Sequence, residues 1–324
     1  MSERFTGDRR DGFSFDRWLA VEFIEQYDRQ RQIFNRLGLL DILPEAGETG
    51  IIGIDNREYP IPSREEIVRE LKGERREIYE TKLSQGFTRF QLTPFGLPLN
   101  NLIAVLERQL KEHFKQSKLL ATKEHPDDPD EPMNLDTNQP VWVWDEWRGS
   151  DQDGSAVYYP ASFDQTNHGG HTKAEILKAQ SGSPFAGWNP LLLEPSMNIP
   201  RQGKGKTIGS RKQLEANRTP AEYRQDLSTN SQYASEQGLT NEDWLTLFIA
   251  YLRETNQVID DWQGKGNACY LTGSFKPSSR HLGYGCWSRG SRQAHLAGDG
   301  PGDRYESNGL RPAVGLGQKL AFEI

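Results

Sequence analysis

From Phe15 to Leu43 the apolar residues Trp18, Leu19, Val21, Phe23, Ile24, Tyr27, Ile33, Phe34 and Leu37 recur mostly at helical spacing. The pattern predicts one long helix, or two short ones, ending near Gly38. "GIIGIDNREYPIP" (50–62) predicts a short strand and turn. Ser63 followed by Glu66 has the spacing of a capping box and opens a charged helix over 64–83. "GFTRFQLTPFG" (86–96) alternates as a strand does, and 99–120 is amphipathic with a helical period.

The pattern changes at 121–140, where "KEHPDDPDEPMNLDTNQP" is acidic and Pro-rich and predicts a linker. "VWVWDEW" (141–147) is made of strong strand formers. From Gly149 to about Gly238 no period is sustained, which predicts long loops; loops of that length are usually functional or held by an unusual scaffold. A helix follows over "NEDWLTLFIAYLRETNQVIDDW", with Thr240 as its cap and Asp243 at the third helical position. "NACYLTGSF" (267–275) and "GLRPAV" (309–314) predict strands on either side of "GCWSRGSRQAHLAGDGPGDRYESNGLRPAV" (285–314).

That last stretch is the chain's unusual one. It is Gly-rich, has almost no aliphatic run, and mixes Trp, Tyr, His and Arg with small polar residues, so it predicts a loop. Aromatic rings offer contact area at small entropic cost and small polar groups offer adaptable hydrogen bonds, the composition of a recognition surface.

Composition narrows the alternatives. A net charge of −7, from 39 basic and 46 acidic residues, excludes a general nucleic-acid binder, which shows a basic excess. The basic 201–212 and the acidic 125–132 are read as solvated loops. Two cysteines, Cys269 and Cys286, are too few for a disulfide framework, and whether they pair stays open. No apolar run approaches the length of a membrane span. The first residues lack the apolar core of a signal peptide, so the expected place is the cytoplasm or a phage-like particle.

Motifs for chemistry are thin. "GKGKT" (203–207) has Pro200 where a phosphate loop needs Gly, and no strand before it. "HGGH" (168–171) is an incomplete metal site, and no cofactor or metal is expected. The carboxylates of "IDDW" (259–262) are expected to be exposed at a helix end. No nucleophile elbow is present.

Residues 240–314 resemble the C-terminal part of the variable proteins of diversity-generating retroelements, which have a C-type lectin fold related to the formylglycine-generating-enzyme family. Arg292-x-Ala294, Pro301, Arg304 and then Gly309-Leu310-Arg311 are similar to that family's closing pattern. The resemblance covers about a quarter of the chain and leaves the first 120 residues untouched. It implies that a reverse transcriptase copies a template with errors at adenines, randomising AAC or AAT codons on a tolerant scaffold. Such codons reach Tyr, Ser, Cys, His, Asp, Arg, Gly, Ala and Asn but not Trp, Gln, Lys, Glu or Met.

Under that rule Cys286, Ser288, Ser291, His295, Ala297, Asp299, Tyr305, Ser307 and Asn308, with Tyr284 at the margin, are the variable, solvent-facing candidates in a segment of about 284–308. Trp287 and Gln293 are unreachable and are scaffold, as are Ala294, Arg304, Gly309 and Arg311. Glu306 is unreachable and breaks the pattern. The copper-dependent chemistry of the enzyme relatives is not implied, because Ser291 stands before Arg292 and Cys286 lies elsewhere.

The expected architecture is α+β: a helix-rich N-terminal domain (1–120), a linker (121–140) and a C-type lectin-like domain with long irregular loops (141–324). The expected function is hypervariable recognition of a protein or glycan ligand, without calcium, through contacts such as Tyr284, Tyr305 and Arg289. The alternatives are an enzyme on the same fold and an invariant phage or surface structural protein.

Overall fold

The computed structural model describes residues 14–317. The chain starts with α1 (Phe15–Arg17), a π-helical turn (Trp18–Glu22) and α2 (Phe23–Leu37), one continuous helical rod. Gly38 ends it in the left-handed conformation (φ 65°), where its N–H and that of Leu39 cap the last carbonyls. A small antiparallel sheet follows from β1 (Asp41–Ile42), β2 (Thr49–Ile52) and β3 (Glu58–Pro60). The capping box at Ser63 and Glu66 forms, but the helix expected over 64–83 is two: α3 (Arg64–Leu71) and α4 (Arg76–Ser84). The break falls at Gly73, the residue that loses most conformational entropy in a helix interior. Then come β4 (Arg89–Thr93) and α5 (Leu99–Lys115).

The region 149–238, expected to be irregular, carries its own elements. After β5 (Val141–Val143) come β6 (Val157–Tyr158), α6 (Lys173–Ala179), β7 (Asn189–Leu193), the hairpin of β8 (Thr207–Ile208) and β9 (Arg211–Lys212), α7 (Pro220–Thr229) and β10 (Gln237–Gly238). Two of these helices open on the same Thr-x-x-Glu capping box, at Thr172 and Thr219. α8 (Asn241–Thr255) is capped by Thr240 and Asp243 as the spacing predicts, and Asn256, left-handed at φ 61°, ends it before "VIDDW".

The C-terminal strands are β11 (Asp261–Trp262), β12 (Ala268–Lys276), β13 (His281–Ser288), β14 (Gln293–Asp299), β15 (Asn308–Leu310) and β16 (Pro312–Gly315). β15-β12-β13-β14-β5 form the larger sheet, with β11 added to β13 and β6 to β12. Every residue of β12 is buried, as a strand covered on both faces must be. The stretch expected to be a loop is therefore mostly strand: β13 and β14 pair antiparallel from Leu282–Asp299 to Ser288–Gln293. Alternation of small residues, rather than of aliphatic ones, hides the strand period there.

A second sheet, β10-β16-β7-β4, joins the two halves of the chain. β4 lies in the expected N-terminal region and pairs with β7 along Arg89–Leu193 to Thr93–Asn189. One hydrophobic core runs from Phe15 to Leu316 through both sheets and α2, α5 and α8. In the expected linker Ala121, Thr122 and Leu135 are buried, and the Thr122 hydroxyl donates to the Val258 carbonyl at 3.0 Å. The sequence break at 121–140 thus marks a composition change inside one packed body.

Candidate functional site

Strand alternation sorts the larger sheet into two faces. One face carries Cys269, Leu271, Trp287, Ala294 and Leu296 into the main core. Glycines on this face let neighbours approach: a Cβ at Gly285 would lie 2.3 Å from the Trp244 ring of α8, and one at Gly298 would lie 2.4 Å from Trp144. Gly285 and Gly298 are thus close-packing positions, not gaps between surface side chains.

The other face carries Ala268 and Tyr270 on β12, Tyr284 and Cys286 on β13, His295, Ala297 and Asp299 on β14, and Asn308 on β15. Trp262 and the 300–307 segment wall this face and leave a cavity of about 330 Å³. Seven of the ten candidates border it: Tyr284, Cys286, His295, Asp299, Tyr305, Ser307 and Asn308. Ser288, Ser291 and Ala297 do not. Ser288 and Ala297 are packed inside, and the Ala297 carbonyl accepts the Trp147 indole N–H at 2.9 Å.

The picture of ten solvent-facing side chains is corrected by this geometry. Cys286, Ser288, Ala297, Asp299 and Asn308 are buried; Tyr284, Ser291, His295 and Ser307 are half-buried; Tyr305 alone is exposed, at 48%. What packs over each face is the physical cause: α8 and the main core cover one, Trp262 and the 300–307 segment cover the other, and only the cavity mouth meets water. Arg289 is also committed: it pairs with Asp261 (Nη2 to Oδ2, 2.6 Å) and with Glu131 (Nη1 to Oε1, 2.6 Å).

Among the scaffold residues Trp287, Gln293, Ala294, Gly309 and Arg311 are buried. Arg311 donates to Asp260 at 2.9 Å and to the Ser196 and Met197 carbonyls. Arg304 departs from the expectation: its side chain is half exposed and reaches Glu222 at 2.5 Å. Asp260 and Asp261 depart too, being fully buried as partners of Arg311 and Arg289.

The cavity's polar groups are held in place. Trp262 donates its indole N–H to Ser307 Oγ at 2.9 Å, and the Asn308 N–H donates to the Tyr305 carbonyl at 3.1 Å. The Gly300 N–H is shared between Asp299 Oδ1 and Asp303 Oδ2, each 3.0 Å away. Burial, then the neighbouring Asp303 carboxyl, pushes Asp299 up to about 7. Burial lowers His295 and raises the Cys286 thiol, so both are neutral near pH 7. Ser291 Oγ and His295 Nε2 are 2.8 Å apart at the rim, and among the described residues no carboxylate is hydrogen-bonded to that imidazole. Without such a partner the pair lacks the orienting group of a nucleophile–base–acid arrangement.

Trp262 and Asp303 were not singled out from the sequence. The helical pattern places Trp262 at the end of a helix, and only the early stop at Thr255 turns it onto the sheet. Elsewhere, Gly203 and Gly205 of "GKGKT" donate their N–H groups to the Glu215 carboxylate at 2.9 and 2.8 Å, so the chain's own acid fills that turn. Cys269 and Cys286 are free and buried, on opposite faces of the sheet.

Comparison with family models, with curated proteins and with solved structures gives no match for this chain.

Proposed function

We propose that the protein is a recognition protein of the diversity-generating type, whose ligand enters the concave face of a lectin-like sheet. The supporting observation is convergence: seven residues nominated from the sequence, by codon reachability and alternation with glycines, border one cavity. A rigid sheet pinned by Trp287, Ala294 and Arg311 beneath a changeable lining separates folding from partner choice. The buried members of the set confine the variation to shape and polarity, while Tyr284, His295, Tyr305 and Ser307 reach the mouth and select the partner.

The test is a library randomised at Tyr284, Ser291, His295, Tyr305 and Ser307, selected against cell surfaces and glycan arrays. Clones should differ in partner, keep their melting temperature within a few degrees, and bind equally with a chelator present. A library in which partner choice never changes, or in which chelation abolishes binding, refutes this function.

A further inference from the structure

We propose that this cavity, taken as the ligand site of the preceding section, binds a small protonated amine whose N–H groups donate to Asp299 and whose carbon body lies against Trp262, Tyr284 and Tyr305. At about 330 Å³ it has the size of a small-molecule pocket, near the lower end of that range.

The charge of the lining favours a cation. Asp299 is 7% exposed, and among the described residues no donor reaches its Oδ2. Asp303 stands beside it on the same Gly300 N–H, so two carboxyls face one another with one donor between them. Among the described residues no Lys or Arg borders the cavity. The neighbouring cations are engaged elsewhere, Arg304 with Glu222 and Arg289 with Asp261 and Glu131. The remaining titratable groups around Asp299 are Tyr270, Tyr284, Tyr305, Cys286 and His295, all neutral near pH 7.

The raised Asp299 carboxyl keeps a proton up to about pH 7, and that proton is what an ammonium replaces. Below about pH 7 Asp299 releases it to solvent on binding, and above that the ammonium meets the carboxylate directly; either way an N–H of the ligand donates to Asp299. Aromatic faces attract the same cation, since the ring quadrupole is negative above the plane. A neutral sugar would find the rings and Asn308 but would bring no charge to Asp299. Because Tyr284, His295, Asp299 and Tyr305 belong to the diversified set, the preference is a property of this sequence among its variants.

Calorimetry on the full chain at pH 8 with benzylamine, benzyl alcohol and N-acetylglucosamine decides the matter. Benzylamine should bind at least about tenfold more tightly than either neutral probe. Its affinity should fall about tenfold between pH 8 and pH 6, as protons compete at a carboxyl pushed up to about 7. Asp299→Asn should remove both the preference and the pH dependence, with a thermal melt confirming that it folds. Tyr305→Ala, at an exposed position outside the core, should weaken benzylamine at least about threefold. Equal binding of amine and alcohol, no binding of benzylamine, or an unchanged preference in Asp299→Asn overturns the amine assignment. If N-acetylglucosamine alone binds, the amine falls while the recognition function stands; a library that never changes partner strikes the recognition function instead.

Discussion

Asp299 carries the clearest consequence at the scale of one residue. Its folded-state value of about 7 lies above the ordinary aspartate value of ~3.9. The folded protein therefore keeps a proton that the unfolded chain releases in the window between them. The stability contributed by that proton is complete below the unfolded value and is lost as pH rises through the folded one. Asp243, buried in the cap of α8 and pushed up to about 6, has the same sign. The protein should melt lower at pH 8 than at pH 5. Asp299→Asn keeps the shape without the charge, so its melting temperature relative to the parent should be higher at pH 8 than at pH 5. A relative shift that is the same at both values contradicts the raised carboxyl.

At the scale of elements, the site depends on how closely α8 lies against β13. The whole first turn of α8 is buried: Glu242 pairs with Lys173 at 2.7 Å and accepts from the Tyr158 hydroxyl at 2.7 Å. Trp244, locked by its indole N–H to Asp260 at 2.9 Å, covers Gly285 with no room for a methyl group. Gly285→Ala must push the helix or the strand aside and should cost roughly 1–3 kcal/mol, the usual range for overpacking. Because β13 holds Tyr284 and Cys286, the same substitution should weaken ligand binding. Denaturant unfolding beside calorimetry checks both. An alanine variant as stable as the parent shows that the strand and helix are not in tight contact.

At the scale of the whole molecule, the halves are tied by more than the shared sheet. Lys82 pairs with Glu236 at 2.6 Å, Gln91 donates to the Asp243 carbonyl at 2.9 Å, and Lys173 donates to the Leu97 carbonyl at 2.9 Å. All are buried, and removing one partner of a buried ion pair costs about 3–5 kcal/mol. A fragment of residues 141–324 loses β4 and α5, exposing β7 and the face of α8 that α5 covers. It should show no cooperative thermal transition, whereas the full chain should melt in one step. Two separate transitions in the full chain would restore a two-domain organisation.

Local signals in the chain determined the elements whose cause is local. Capping spacings at Ser63, Thr240 and Asp243, the helical stripe ending at Gly38, and the alternation of 86–96 depend on neighbours within a few residues, and all were legible. So were Trp287, which the randomised codons cannot reach, and Ala294, which stands in the family-like closing pattern, as interior positions. What depended on distant partners was not legible. The strand period of β13 and β14 is masked by glycines whose reason is Trp244 and Trp144, residues about 40 and 150 positions away in the chain. The burial of Asp260 and Asp261 waited on Arg311 and Arg289, and the place of Trp262 on the helix stopping at Asn256. Codon reasoning could nominate residues for a site, but whether a nominee faced water, a cavity or the interior was decided by the helix and loop that cover the two faces of the sheet. That is a property of the sheet as a whole, since burial is set by what packs over a position and not by the residue standing there.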